Sequence, residues 1–255
     1  MNDDRTRSAR QLVIIPSYNS GGKLLETVAG ALKFWEPVWV IIDGSTDGSG
    51  EKLKSQHPMP DGLRIVTLAE NQGKGWAVLT VLRLARQDGF EQALVMDADG
   101  QHPEDRIPQI MELGRRNPDG MILGVPEFAP DAPASRKYGR RVGNWWANLE
   151  TLWGGVNDSL FGFRLYPIAE SIEILERIPG GKRYSFDTEL VVRLYWRGVR
   201  PVNIKVPVRY FTSAEGGVSH FKYIRDNLVL FWAHTWLVFG MVARFPQIWK
   251  LRRRR

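Results

Sequence analysis

The sequence predicts an α/β fold with a mostly parallel sheet and helices on both faces, and three observations carry that prediction. Short apolar runs, rich in β-branched residues, recur at Leu12–Ile15, Val38–Ile42, Leu63–Leu68, Ala93–Met96 and Met121–Val125. Each is closed by a polar loop bearing Gly, Asp, Asn or Pro. Stretches of helical periodicity lie between them, the pattern of strands buried between helical layers.

Pro16 stops the first run, and Ser17 to Gly22 lead into a helical pattern over Lys23–Phe34. After the second run, Asp43-Gly44-Ser45-Thr46-Asp47-Gly48-Ser49 forces a polar turn before Glu51–Gln56. Asp47, two residues ahead of Ser49, reads as a helix cap. The third run ends in Asn71-Gln72-Gly73-Lys74-Gly75 and a helix over Trp76–Arg86. Beyond the fifth run the regularity weakens. Ser135–Leu152 and Ser185–Trp196 read as helices, the second stopped by Gly198. Phe163–Tyr166 reads as a strand and Val199–Tyr210 as one or two more. A last helical region runs from about Phe221 to Ala243, with Pro246 ending it.

The fourth run carries the chemistry. Ala93-Leu94-Val95-Met96 breaks into Asp97-Ala98-Asp99-Gly100-Gln101-His102-Pro103. Ligands of open α/β sheets bind beyond the carboxyl ends of such strands. Two carboxylates one residue apart there suit Mg²⁺ or Mn²⁺, hard ions that keep open positions for phosphate oxygens.

With 255 residues and no cysteine, the chain can bury one sizeable core without disulfides. The formal charge is +7, but Lys250 and Arg252 to Arg255 supply most of it, so the basic character belongs to the tail. A terminal Lys/Arg cluster suits nucleic acid or anionic lipid. Its neighbour favours lipid, because Asn227–Ala243 carries no Lys, Arg, Asp or Glu and is rich in Leu, Val, Phe and Trp. No nucleic-acid partner is expected. Met1–Arg10 is polar and charged, without the apolar core of a signal peptide, which points to a cytoplasmic location.

Five blocks, taken in order, resemble the family 2 glycosyltransferases of the GT-A fold, and among them the dolichyl- and polyprenyl-phosphate sugar synthases. They are Ile15-Pro-Ser-Tyr-Asn, Ile42-Asp-Gly-Ser-Thr-Asp-Gly-Ser, Asn71-Gln-Gly-Lys-Gly, Met96-Asp-Ala-Asp-Gly-Gln-His-Pro and Asp158-Ser-Leu-Phe-Gly-Phe-Arg. A weaker echo continues through Phe186-Asp-Thr-Glu-Leu to Pro207. The resemblance implies an inverting, metal-dependent transferase that takes its sugar from a UDP- or GDP-linked donor. It assigns Pro16, Tyr18, Asn19, Asp43, Lys74 and Asp97 to the nucleotide sugar. Asp97, Asp99 and Gln101 fall to the Mg²⁺ or Mn²⁺, with His102 supporting their loop. Ile42 stands where the family usually has the first of two acids, which leaves the nucleotide open.

The acceptor decides the subclass. A phosphate monoester, with a second pKa of about 6, is already a nucleophile at neutral pH, whereas a hydroxyl needs a base within reach. Both kinds of residue are present. Arg136, Arg140, Arg164 and the Ser219-His220 loop suit a lipid phosphate, while Asp99, Asp158 and Asp187 are the catalytic candidates. Family blocks near the acceptor are altered here, to Gly124-Val125-Pro126 and to Gly217-Val218-Ser219-His220-Phe221-Lys222. The resemblance nonetheless implies a lipid-linked acceptor, most readily a polyprenyl phosphate. Transfer to a lipid or aryl hydroxyl is the enzymatic alternative, and a membrane-associated scaffold with a degenerate site the other.

The expected organisation is a GT-A domain over 1–220 followed by a C-terminal hydrophobic helix and basic tail over 221–255. Seventeen uncharged residues rise about 25 Å as a helix, short of a bilayer core of about 30 Å. A helix lying on the membrane surface, with Trp232, Trp236 and Trp249 at the interface, fits better than a span. A core helix or a homo-oligomer contact is the other use of such a segment.

Overall fold

The computed structural model describes residues 10–128, 134–178, 185–209 and 223–253, and the side chains of 134–138 and 223–224 fall outside that description. The strands are β1 (Gln11–Ser17), β2 (Val38–Asp43), β3 (Leu63–Leu68), β4 (Gln92–Val95), β5 (Gly120–Glu127), β6 (Arg164–Pro167) and β7 (Arg200–Pro207). The helices are α1 (Lys23–Phe34), α2 (Ser49–Lys54), α3 (Lys74–Gln87), α4 (Ile107–Arg116), α5 (Ala134–Glu150), α6 (Ile168–Arg177), α7 (Phe186–Trp196), α8 (Tyr223–Ala243) and α9 (Phe245–Arg253), with one 3₁₀ turn at Glu104–Arg106.

The described strands form one sheet in the order β3-β2-β1-β4-β6-β5-β7. Pairings are parallel except those of β6, which runs antiparallel to both β4 and β5. Alternation sorts the core onto two faces. Leu12 and Ile14 of β1 pack with α3, α6 and α7, whereas Val13 and Ile15 pack with α1, α2 and α4. Both faces are buried, as the continuous apolar runs require.

Two consequences of this topology position the site. Strand order reverses beside β1, between β2 and β4, which opens a crevice at the carboxyl ends of those strands. Because β6 runs backwards, with Val95 opposite Arg164, the segment leading into it arrives at that same edge, beside Asp97.

Most predicted elements fall within a few residues of their observed bounds, and the fold is the expected one. Helices α4 and α6 were not anticipated, nor was α9. Pro246 does not end the chain's helical part: it sits in the first turn of α9, where its missing N–H is no loss. Val199–Tyr210 yields the single strand β7.

Helix α8 is apolar on nearly every side. Its inner face, with Asp226, Ala233, His234, Leu237 and Met241, is buried against α5, α7 and α9. The outer face exposes Leu228, Phe231, Trp232, Trp236, Phe239 and Val242. Among the described residues Arg225–Ala243 is the one helical stretch long and apolar enough to cross a membrane by length and composition, and 22% of it is buried.

Candidate active site

Asp97 and Asp99 leave β4 where the strand order reverses. The Asp99 Oδ1 accepts the Gln101 N–H at 3.0 Å, which closes a tight turn, and the Gln101 carbonyl accepts from the Arg209 N–H at 3.2 Å. His102 is buried against Phe161 and Phe163, and its Nδ1 accepts the Asp97 N–H at 3.0 Å. That leaves the proton on Nε2, 3.7 Å from Asp97 Oδ2. Burial pushes the imidazole down to about 4, so His102 is a neutral post that aims Asp97.

Lys74 opens α3 and reaches across to this edge. Asp43, at the end of β2, fixes its loop by accepting from the N–H groups of Gln72 and Gly73 at 2.8 Å each. Gly44 permits the approach: it has φ +63°, and a Cβ there would sit 2.4 Å from the Asn71 nitrogen. The ammonium then lies 2.7 Å from Asp97 Oδ1 and 2.8 Å from Asp187 Oδ2. Against the cost of burial, Lys74 holds the Asp97 carboxyl down at about 2. Asp99 has no such partner, and burial followed by the Asp97 charge pushes it up to about 6.

That contrast is the test of fit for a divalent ion. Two carboxylates and an amide share one turn, and one carboxylate, Asp99, has no ion-pair partner among the described residues. No group of three or more His, Cys, Asp or Glu side chains gathers among the described residues. A hard ion fits Asp97, Asp99 and Gln101 if water and phosphate oxygens complete its shell.

Asp158 is the hub of a second cluster, ahead of β6. Its Oδ1 accepts from Arg140 at 2.8 Å and from the N–H groups of Leu160 and Phe161 at 2.9 and 2.7 Å, while its Oδ2 accepts from Asn144 at 3.2 Å. Arg164 is fully buried beneath it, donating to the carbonyls of Asp158 and Asp187. Arg164 therefore fixes the backbone at those two acids. Arg140 stays partly exposed between the rings of Phe128 and Phe161.

At the carboxyl end of β1, Pro16 is buried where the strand has outrun its pairing with β4. Tyr18 is exposed beyond it, and Asn19, at φ +48°, ties the first loop to Ser45 and Thr46. Asp47 lies one residue before the cap position, which Gly48 takes at φ +74° without a side-chain cap; Asp47 accepts instead from the Ser49 N–H and hydroxyl and from the Gly21 N–H. Pro16, Tyr18, Asn19, Asp43, Lys74, Asp97, Asp99 and Gln101 thus lie in the strand ends, loops and helix start at one edge of the sheet, with Asp158, Arg164 and Asp187 delivered there by β6 and α7. The Arg136 side chain, Ser219 and His220 lie outside the described residues. Sequence reasoning assigned no role to Asn144, although it stands one helical turn from Arg140 on the same face. Gly162 also went unassigned.

The family described as Glycosyl transferase family 2 matches residues 12–172. The polyprenol monophosphomannose synthase of Mycolicibacterium smegmatis is 27% identical over 247 residues, covering 92% of this chain and 89% of that protein. The undecaprenyl-phosphate mannosyltransferase of Micrococcus luteus is 26% identical over 226 residues, covering 82% and 86%. The crystal structure of glucosyl-3-phosphoglycerate synthase from Mycobacterium tuberculosis, with Mn²⁺, UDP-glucose and phosphoglyceric acid, shares the fold at a TM-score of 0.63, with 15% identity and coverage of 96% and 84%.

Proposed function

The chain belongs to glycosyl transferase family 2, and from that membership we infer that it moves a sugar from a nucleoside diphosphate to the phosphate of a polyprenyl lipid, with inversion at the anomeric carbon. The observation that carries the choice of acceptor is that both candidate bases are held in ion pairs, and the one oxygen of theirs left unpaired among the described residues, Asp187 Oδ1, is buried. Asp158 already accepts from Arg140, Asn144 and two backbone N–H groups, and Asp187 is paired with Lys74. A hydroxyl acceptor needs an available base. A phosphate monoester, dianionic above a pKa of about 6, does not. The relatives named for polyprenol and undecaprenyl phosphate support the same reading.

In this reading the acceptor phosphate oxygen attacks the anomeric carbon as the bond to the donor diphosphate breaks on the opposite side. Arg140 orients the incoming phosphate, and Asp158, locked by the α5 side chains, keeps Arg140 aimed. Tyr18 offers a ring to the base. Lys74 is within reach of the departing diphosphate. A Mg²⁺ or Mn²⁺ ion on Asp97, Asp99 and Gln101 would neutralise charge on that leaving group as a Lewis acid.

The test is a radiolabelled nucleotide-sugar screen against polyprenyl phosphate and the matching polyprenol, with and without EDTA, scoring product in the organic phase. Label should follow the phosphate and disappear with EDTA. Transfer to the alcohol, abolished by Asp158→Asn or Asp187→Asn, would overturn the assignment.

The same reading takes the enzyme to a membrane surface, at the cytoplasmic face where nucleotide sugars are made. The outward apolar face of α8, followed by Arg244, Lys250, Arg252 and Arg253, supports peripheral docking.

A further inference from the structure

Lys74 stands between two ligands that the site must accept, and the geometry gives it opposite effects on each. Its ammonium bridges Asp97 at 2.7 Å and Asp187 at 2.8 Å, with the Phe186 ring 5.8 Å away. The second oxygen of Asp187 is buried without a hydrogen-bond partner, so the paired oxygen faces Lys74 alone among the described side chains. Lys74, Arg140 and Arg164 balance Asp97, Asp158 and Asp187 in one connected network of ion pairs and hydrogen bonds. Asp99, which has no ion pair among the described residues, adds charge beyond that balance. Two like charges a few ångströms apart repel by several kcal/mol even at an effective dielectric near 20, so an ammonium on Asp97 opposes a dication at the same carboxylate. A diphosphate reverses the sign, because it attracts the ammonium and the dication alike.

We propose that Lys74 is a competitor as well as a ligand: paired with Asp97 and Asp187 together, it opposes a divalent ion that arrives alone and yields to one that arrives with a diphosphate. The inference rests on the nucleotide-sugar reading of Asp97 and Asp99. It makes donor and metal binding mutually dependent.

Mn²⁺ binding to the whole protein, followed by the free-ion electron paramagnetic resonance signal, separates the two effects without any turnover. Lys74→Met should bind Mn²⁺ alone about tenfold more tightly than the unaltered protein, and UDP or GDP in saturating Mn²⁺ about tenfold more weakly. Asp187→Asn removes a negative charge while leaving the lysine on Asp97, so it should weaken Mn²⁺ alone. Lys74→Arg keeps the positive charge and should keep the weak Mn²⁺ binding. Opposite signs for the first two variants cannot come from damage to the fold, which would weaken binding in both. Equal or weaker Mn²⁺ binding by Lys74→Met overturns the competition, and so does tighter binding by Asp187→Asn if the first variant fails to fold. Unaltered protein that binds Mn²⁺ but neither UDP nor GDP overturns the donor reading instead.

Discussion

Gly162 lies where two parts of the site nearly touch. A Cβ on it would meet Asp97 Oδ2 at 2.5 Å and the Lys74 ammonium at 2.9 Å. Gly162→Ala must push Asp97 off its line, and displacements of about 1 Å at reacting groups cost roughly 100-fold in rate. We expect about that loss in turnover with the far-ultraviolet circular dichroism unchanged. His102 and Asp99 make a second pair with consequences, this time for stability against pH. The imidazole, pushed down to about 4 by burial, stays neutral in the fold while the unfolded chain takes up its proton near 6.5. Stability from that source is complete above pH 6.5 and is lost as pH falls to 4, by about 3 kcal/mol. Asp99 has the reverse sign. It is raised to about 6 by burial and by Asp97, so its contribution is complete below about pH 4 and lost as pH rises to 6. In EDTA the two slopes oppose each other between pH 4 and 6. Thermal melts should show Asp99→Asn losing stability relative to the parent as pH drops through that window, and His102→Asn gaining it. Parallel curves for both variants would refute the pairing.

Helices set the positions of these groups, and α5 joins the Asp158 cluster to the outer helix. Arg140, Asn144 and Asn148 form one face at successive turns, gripping Asp158, Ser159 and Val156. At the far end Glu150 is fully buried and meets His234 of α8 at 2.7 Å, while its second oxygen has no partner. Burial raises the carboxyl, so the charged form opposes folding once the pH passes the unfolded value. Glu150→Gln keeps a hydrogen-bonding group for His234 and removes that charge. It should stabilise the protein by about 1 kcal/mol at pH 8 and by less at pH 5, read from denaturant midpoints. A lower midpoint at pH 8 would sink this account. None of this contact was legible in the sequence, where His234 was an interruption in an apolar run and Glu150 one acid among many. What was legible shares a physical basis: Lys23–Phe34 and Leu63–Leu68 have strong periodicity and Gly or Pro at their ends. Helix α6 was missed because Pro167 hides its start inside the strand signal of β6. The antiparallel entry of β6, which delivers Asp158 to Asp97, depends on pairing that no local pattern encodes.

The whole molecule is asymmetric in its surface, and the asymmetry selects what covers α8. Trp232, Trp236 and Phe239 are each more than half exposed, beside Phe245 and Trp249, whose rings stack at 6.0 Å. An apolar face of this size is seldom left in water. A second copy and a bilayer would both cover it. From Asn227 to the end of the chain there is no Asp or Glu, whereas Arg244, Lys250 and Arg252–Arg255 are all basic. An isologous dimer over this region would bury cations with no acid within it to meet them, while anionic headgroups supply the missing charge. Crossing the bilayer would require the buried side of α8, with Asp226 and His234, to leave α5 and α7, so lying in the interface keeps both faces satisfied. The protein should therefore sediment with vesicles containing phosphatidylglycerol. Lys250→Gln, Arg252→Gln and Arg253→Gln together should weaken that binding roughly 100-fold, at about 1 kcal/mol per charge, and flatten its salt dependence. Trp232→Ser with Trp236→Ser and Phe239→Ser should abolish it on anionic and neutral vesicles alike. A dimer in size-exclusion chromatography that these serines convert to monomer, with no sedimentation by the parent, would hand the face to a second copy.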